Sequence, residues 1–161
     1  MGQTASTVIL ADTSSSMCGQ PIIELRAKLA KLSPSMRGAR ILAFDSVVHE
    51  VESPEQLPEP SGSTRLDLAI ERAREFQPFE LIVISDGAPD DAEAALSRAR
   101  EMPCVIQTIF IGDERQKPDA VRFMNKLAHE NGGKAIVRRV TDVSFESAVR
   151  SLLQLPAPIP V

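Results

Sequence analysis

Short runs of β-branched and other apolar residues alternate along the chain with segments whose apolar positions recur every three or four residues. That alternation is the pattern of an α/β domain built on a mainly parallel sheet. Six strands are expected, at 7–12, 39–46, 47–52, 80–86, 105–112 and 134–140. The second and third follow one another so closely that they read as a hairpin. The runs "VILA" and "LIVI" have no polar interruption, which places them at the centre of the sheet with helices on both faces.

Five helices are expected between and after these strands, at 21–32, 65–76, 91–101, 119–130 and 144–155. Pro21 opens the first, where its missing N–H costs nothing. The second puts Leu66, Ala69, Ile70 and Ala73 on one face. The fourth ends at Gly132 and Gly133, and Ser144 is the expected cap of the fifth. Three prolines in "SPEQLPEPSGS" (53–63) fix an extended loop before the second helix. Residues 1–155 read as one domain, and "PAPIPV" (156–161) as a proline-rich tail that cannot continue a helix.

The chain has 161 residues, 43% of them hydrophobic, enough for one domain with a proper core. A net charge of -4 and a pI near 5.3 leave no basic face for nucleic acid or anionic lipid. Cys18 and Cys104 lie far apart without CxxC spacing, so neither a disulfide framework nor a zinc site is expected. The stretch "MGQTASTVIL" has no positive n-region and no long apolar segment, and no run elsewhere approaches a membrane span. Gly2 with Ser6 fits the loose myristoylation pattern, but the first strand starts directly afterwards, and chance is the better account. These features suggest a cytoplasmic protein with no membrane contact, monomeric by itself.

In an open parallel sheet, ligands bind beyond the carboxyl ends of the strands, where the strand order reverses. Three polar clusters fall there: "DTSSS" (12–16), "SGST" (61–64) and "SDGAPDD" (85–91). Asp12 and Asp86 with the hydroxyls of Ser14, Ser16 and Thr64 make an all-oxygen set, which suits a hard cation such as Mg²⁺, with Mn²⁺ as the other candidate. In an extended turn, residues 12, 14 and 16 would face the same side. Neutral hydroxyls leave a bound ion more Lewis-acidic than a carboxylate cage would, so an outside carboxylate would be welcome at an open position.

Taken together, these clusters resemble the metal-ion-dependent adhesion site (MIDAS) of the von Willebrand factor A family (vWA). That site is D-x-S-x-S, then a Thr in a Gly-rich loop, then an Asp ending an apolar strand before a Gly. Asp12, Ser14, Ser16, Thr64 and Asp86 match all five positions in order. The resemblance implies a doubly wound, Rossmann-like fold with a six-stranded, mostly parallel sheet in the order 3-2-1-4-5-6 and one antiparallel edge strand. It also implies that Ser14 and Ser16 ligate the metal directly, Thr64 directly or through water, and Asp12 and Asp86 largely through water. An Asp or Glu of a protein partner would complete the octahedron. The longer stretch "DTSSSMCGQPI" is similar to intracellular bacterial members of the tellurite-resistance type, which associate with AAA+ ATPases, kinase or phosphatase modules, or chelatase-like assemblies.

The leading expectation is therefore a non-enzymatic, metal-dependent protein-binding adaptor. A phosphohydrolase with Asp12 as nucleophile is one alternative, but Ser14 stands where that chemistry wants a general acid, and no lysine is expected near any of the three clusters to offset phosphate charge. A scaffold with a vestigial metal site is the other. Each cluster taken alone could also be only a set of helix caps. Ser15 and Ser63 are expected in local turn bonds, and Asp90 or Asp91 at the start of the third helix. Asp45 suits either a turn or a supporting role beside the site. His49 and His129 are expected to be solvated, and Met17 and Met36 to be packing residues.

Overall fold

Parallel strands of this composition need cover on both faces, and the computed structural model, which describes residues 6–32, 39–111 and 115–138, supplies it. The strands β1 (Thr7–Asp12), β2 (Arg40–Phe44), β3 (Val48–Val51), β4 (Glu80–Ser85), β5 (Val105–Ile111) and β6 (Ala135–Arg138) form one sheet in the order β3-β2-β1-β4-β5-β6. β2 and β3 pair antiparallel and the remaining pairs are parallel. This is the order expected from the resemblance.

Four helices are described: α1 (Gln20–Leu32), α2 (Leu66–Ala73), α3 (Ala92–Arg100) and α4 (Pro118–Glu130). The two-residue period of β1 divides the core. Val8 and Leu10 pack with Leu66, Ile70, Leu96, Phe123 and Met124 on the α2, α3 and α4 side. Ile9 and Ala11 pack with Met17, Ile22, Leu25 and Leu29 on the α1 side. Val8 through Ala11 are fully buried, as the uninterrupted apolar run requires of a central strand.

Some boundaries differ from the sequence reading for local reasons. β2 stops at Phe44 because Asp45, Ser46 and Val47 form the hairpin bend, where Asp45 Oδ1 accepts from the Val47 N–H at 3.0 Å. α2 ends at Ala73 and tightens into a 3-10 turn, Arg74–Phe76, which buries Phe76 before left-handed Gln77 turns the chain. A 3-10 turn, Pro54–Gln56, interrupts the loop expected to be extended throughout. His49 is not simply solvated, since its Nε2 lies 3.4 Å from Asp45 Oδ2. The expected helix 144–155, its cap Ser144, the tail 156–161 and Met36 lie outside the described residues.

The end of α4 shows why a glycine pair stands there. Gly132 has φ +76, and the Gly133 N–H returns to the Ala128 carbonyl at 2.9 Å, closing the helix. Gly133 also lies so close to the Ile106 carbonyl of β5 that no Cβ fits between them.

Candidate metal site

The site begins where β1 runs out of apolar residues. Asp12, fully buried, folds its Oδ1 back to accept from the Ser14 N–H at 2.8 Å, an Asx turn that ends the strand. Ser14 is extended, but Ser15–Met17 form a 3-10 turn instead of continuing the extended alternation. The turn is anchored by fully buried Met17 and still brings Ser14 Oγ and Ser16 Oγ to 3.3 Å from each other. Ser16 Oγ donates to Asp86 Oδ1 at 2.6 Å, so the first and third clusters meet directly.

The second cluster is pinned onto the first. Ser61 N–H donates to the Thr13 carbonyl at 3.0 Å, and Ser15 gives both its N–H and its hydroxyl to the Gly62 carbonyl, at 3.2 and 2.9 Å. Arg26 of α1 holds the same loop through the Leu57 and Pro58 carbonyls, at 2.7 and 3.2 Å. Thr64 sits half-buried at its end, with its N–H on Asp90 Oδ1 at 3.0 Å and its carbonyl accepting from the Asp90 N–H at 2.9 Å. Among the described residues, the Thr64 hydroxyl makes no hydrogen bond to the other four. Four of the five expected residues are thus linked through hydrogen bonds, and Thr64 stands on the adjoining loop.

Two residues that sequence reasoning missed complete the arrangement. Ser85 donates to Asp12 Oδ2 at 2.6 Å and accepts from the Gly87 N–H at 3.2 Å. The parallel register pairs Ala11 with Ile84, so the next step along both strands sets Asp12 beside Ser85, a relationship that follows once β1 and β4 are taken as neighbours. Lys117, just before α4, places Nζ 2.8 Å from the Asp86 carbonyl and 3.4 Å from Asp86 Oδ2. This corrects the expectation of a site without a nearby lysine. The available signal was Pro118 at the first turn of a helix that follows β5, on the same rim as the end of β4.

Burial dominates the electrostatics of Asp12 and pushes its carboxyl above the ordinary carboxylate range. Hydrogen bonds from Ser14 and Ser85 act against that rise, and the neighbouring Asp86 adds to it. A buried acid pair of this kind is stabilised by added positive charge. The donor set is all oxygen, and no group of three or more His, Cys, Asp or Glu able to hold a metal occurs among the described residues. Any ion here would therefore have to use hydroxyls, which fits a hard cation.

The remaining expectations are settled by local contacts. Asp91 caps α3 by accepting from the Ala94 N–H at 3.0 Å, while Asp90 serves Thr64 instead. Ser63 pairs with Ser46 of the β2–β3 bend at 3.1 Å and the Ser15 hydroxyl reaches the Gly62 carbonyl, so both side chains bond between loops and not within their own turns as expected. Cys18 is exposed and Cys104 partly buried, both as free thiols. No helix among the described residues is long and apolar enough to cross a membrane.

No family model and no curated protein matches this sequence. Solved structures do. A von Willebrand factor type A protein from Catenulispora acidiphila superposes with a TM-score of 0.70 at 15% identity, over 92% of this chain but 42% of that one. The manganese-loaded TRAP protein of Plasmodium vivax gives 0.66 at 16% identity, over 94% of this chain and 72% of that one. The PilB minor pilin of Streptococcus sanguinis gives 0.61 at 12%, over 96% and 62%. The chain spans less than half of the first of these, and at such identities the likeness concerns architecture. By strand order, by the placement of its helices and by these superpositions, the chain has the fold of a von Willebrand factor type A domain.

Proposed function

We infer that this domain is a metal-dependent protein-binding module and not an enzyme. The observation that carries the reading is the hydrogen-bonded run from Ser14 Oγ to Ser16 Oγ to Asp86 Oδ1, beside fully buried Asp12. In this reading Ser14 and Ser16 hold Mg²⁺ or Mn²⁺ directly, Thr64 approaches from its loop, and Asp12 and Asp86 act largely through water. The bound ion supplies a Lewis-acidic position for an Asp or Glu of a protein partner. A manganese-loaded neighbour with the same fold supports a divalent ion. The stretch "DTSSSMCGQPI" supports a bacterial intracellular setting, with an AAA+ ATPase or a kinase or phosphatase module as partner.

The phosphohydrolase reading gains a cation in Lys117 but remains the weaker one. Asp12, its nucleophile, has both carboxylate oxygens occupied, by the Ser14 N–H and the Ser85 hydroxyl, and is shut off from solvent. An attacking group needs access to its target.

Calorimetric titration of the EDTA-stripped protein with Mg²⁺ and Mn²⁺ tests the proposal, with Ser14→Ala/Ser16→Ala as control. Saturable binding lost in the double variant is expected. A partner pull-down that survives EDTA unchanged would sink the adaptor role.

A further inference from the structure

Every carboxylate oxygen of the site has a donor. Ser14 and Ser85 serve Asp12, while Ser16 and Lys117 serve Asp86. Lys117 differs from the others in carrying a charge, and in how it is held. Its shorter bond, 2.8 Å, goes to the Asp86 backbone carbonyl, and the 3.4 Å contact to Asp86 Oδ2 is the longer one. The carbonyl is a fixed acceptor whose bond does not depend on the state of the carboxylate. The lysine side chain is 42% exposed, whereas that of Asp86 is 8% exposed. Lys117 therefore combines an anchor inside the site with a side chain partly open to solvent.

We propose that Lys117 is a resident cation of this site that weakens the hold on a bare divalent ion and strengthens the hold on an anion arriving at that ion. The inference rests on the metal-binding reading above. With Asp12 and Asp86 ionised and a divalent ion present, carboxylates and metal sum to zero, and Lys117 leaves the ensemble with one positive charge. That surplus opposes metal loading and attracts a carboxylate. Metal and acidic ligand then bind better together than separately, which is a coupling between two ligands at one site.

The test is titration of Mn²⁺ into the EDTA-stripped full chain, as wild type, Lys117→Met and Lys117→Arg, in chloride and in acetate at equal ionic strength. In chloride, Lys117→Met should bind Mn²⁺ about ten- to a hundredfold more tightly than wild type, the scale of one charge lost a few ångströms from a divalent ion under water-like screening. Lys117→Arg should stay close to wild type. Acetate should tighten Mn²⁺ binding more in wild type than in Lys117→Met. Equal or weaker Mn²⁺ binding by Lys117→Met in chloride overturns the proposal, and an equal acetate gain in both overturns its anion half. Saturable binding by none of the three proteins overturns the metal reading itself. A melt in EDTA checks that the variants fold, and Lys117→Gln replaces Lys117→Met if that one does not.

Discussion

The Ser85 hydroxyl donates to Asp12 Oδ2 at 2.6 Å across the ends of the two central strands, joining two buried residues 73 positions apart. Removing either partner has opposite expected consequences. Ser85→Ala leaves a buried carboxylate oxygen without its donor, at a cost of about 1–3 kcal/mol. At this chain length that lowers the melting temperature in EDTA by roughly 2–4 °C for each kcal/mol. Asp12→Asn removes the charge that burial opposes. The Asn amide can donate to Ser85 Oγ, which then donates to the Gly87 carbonyl at 3.1 Å. Its melting temperature in EDTA should equal or exceed that of wild type while its response to Mg²⁺ disappears. A strongly destabilised Asp12→Asn protein would show that the charge is needed by the fold itself.

Gly133→Ala should be among the most damaging single changes in the described chain. The added methyl group meets the backbone carbonyl of Ile106, which cannot rotate away as a side chain would. Overpacking of this kind costs about 1–3 kcal/mol or more. Chemical denaturation should show a lower midpoint with an unchanged slope. Gly132→Ala gives a useful contrast, because no atom lies near the added Cβ and only the positive φ opposes it.

The acid limb of stability should carry a contribution from Asp67. Hydrogen bonds from Arg65, at 3.1 Å each, hold this carboxyl below its ordinary value of 3.8, against the opposing effect of burial. A depressed folded-state value stabilises the fold above the unfolded value and loses that stabilisation as the pH falls through the folded one. Wild type should therefore exceed Asp67→Asn by up to about 1 kcal/mol at neutral pH. The gap should narrow below about pH 4, where the unfolded carboxyl begins to take up its proton. Paired melts from pH 7 to pH 2.5 measure it, and a gap that widens with acid would contradict the assignment.

The two thiols should separate cleanly on alkylation. Burial, with Glu80 adding to it, pushes Cys104 up to about 11, so roughly one thiol in a thousand is ionised there at pH 8. Cys18 is exposed on the turn after Met17. Peptide mapping after a short treatment with iodoacetamide should find the label on Cys18, with Cys104 appearing only after long exposure or unfolding. Faster labelling of Cys104 would indicate local opening near the start of β5.

Much of the fold was legible because its signals are local. Uninterrupted "VILA" and "LIVI" identify buried central strands, and periodic Leu66, Ala69, Ile70 and Ala73 identify the buried face of α2. Asp12, Ser14, Ser16 and Asp86 were legible as oxygen donors at the ends of those strands, and the structure links them. Ser85 and Lys117 were not, for a physical reason. Ser85 matters through the register between β1 and β4, and Lys117 through the position of α4 over the rim, neither of which spacing along one segment encodes. The 3-10 turn at Ser15–Met17 escaped as well, because alternation alone does not distinguish it from an extended turn.

The central position of β1 also sets an order of events during folding. Its paired neighbours β2 and β4 lie well downstream, and the partners of Asp12 and Ser16 arrive only with Ser85 and Asp86. A nascent chain that has not yet emerged past residue 86 lacks the Ser85 and Asp86 partners of Asp12 and Ser16, and the loop closures involved are long and slow. Assembly of the ion site therefore waits for β4 to dock beside β1 but not for β5 and β6, and a metal response first acquired during synthesis would mark that docking.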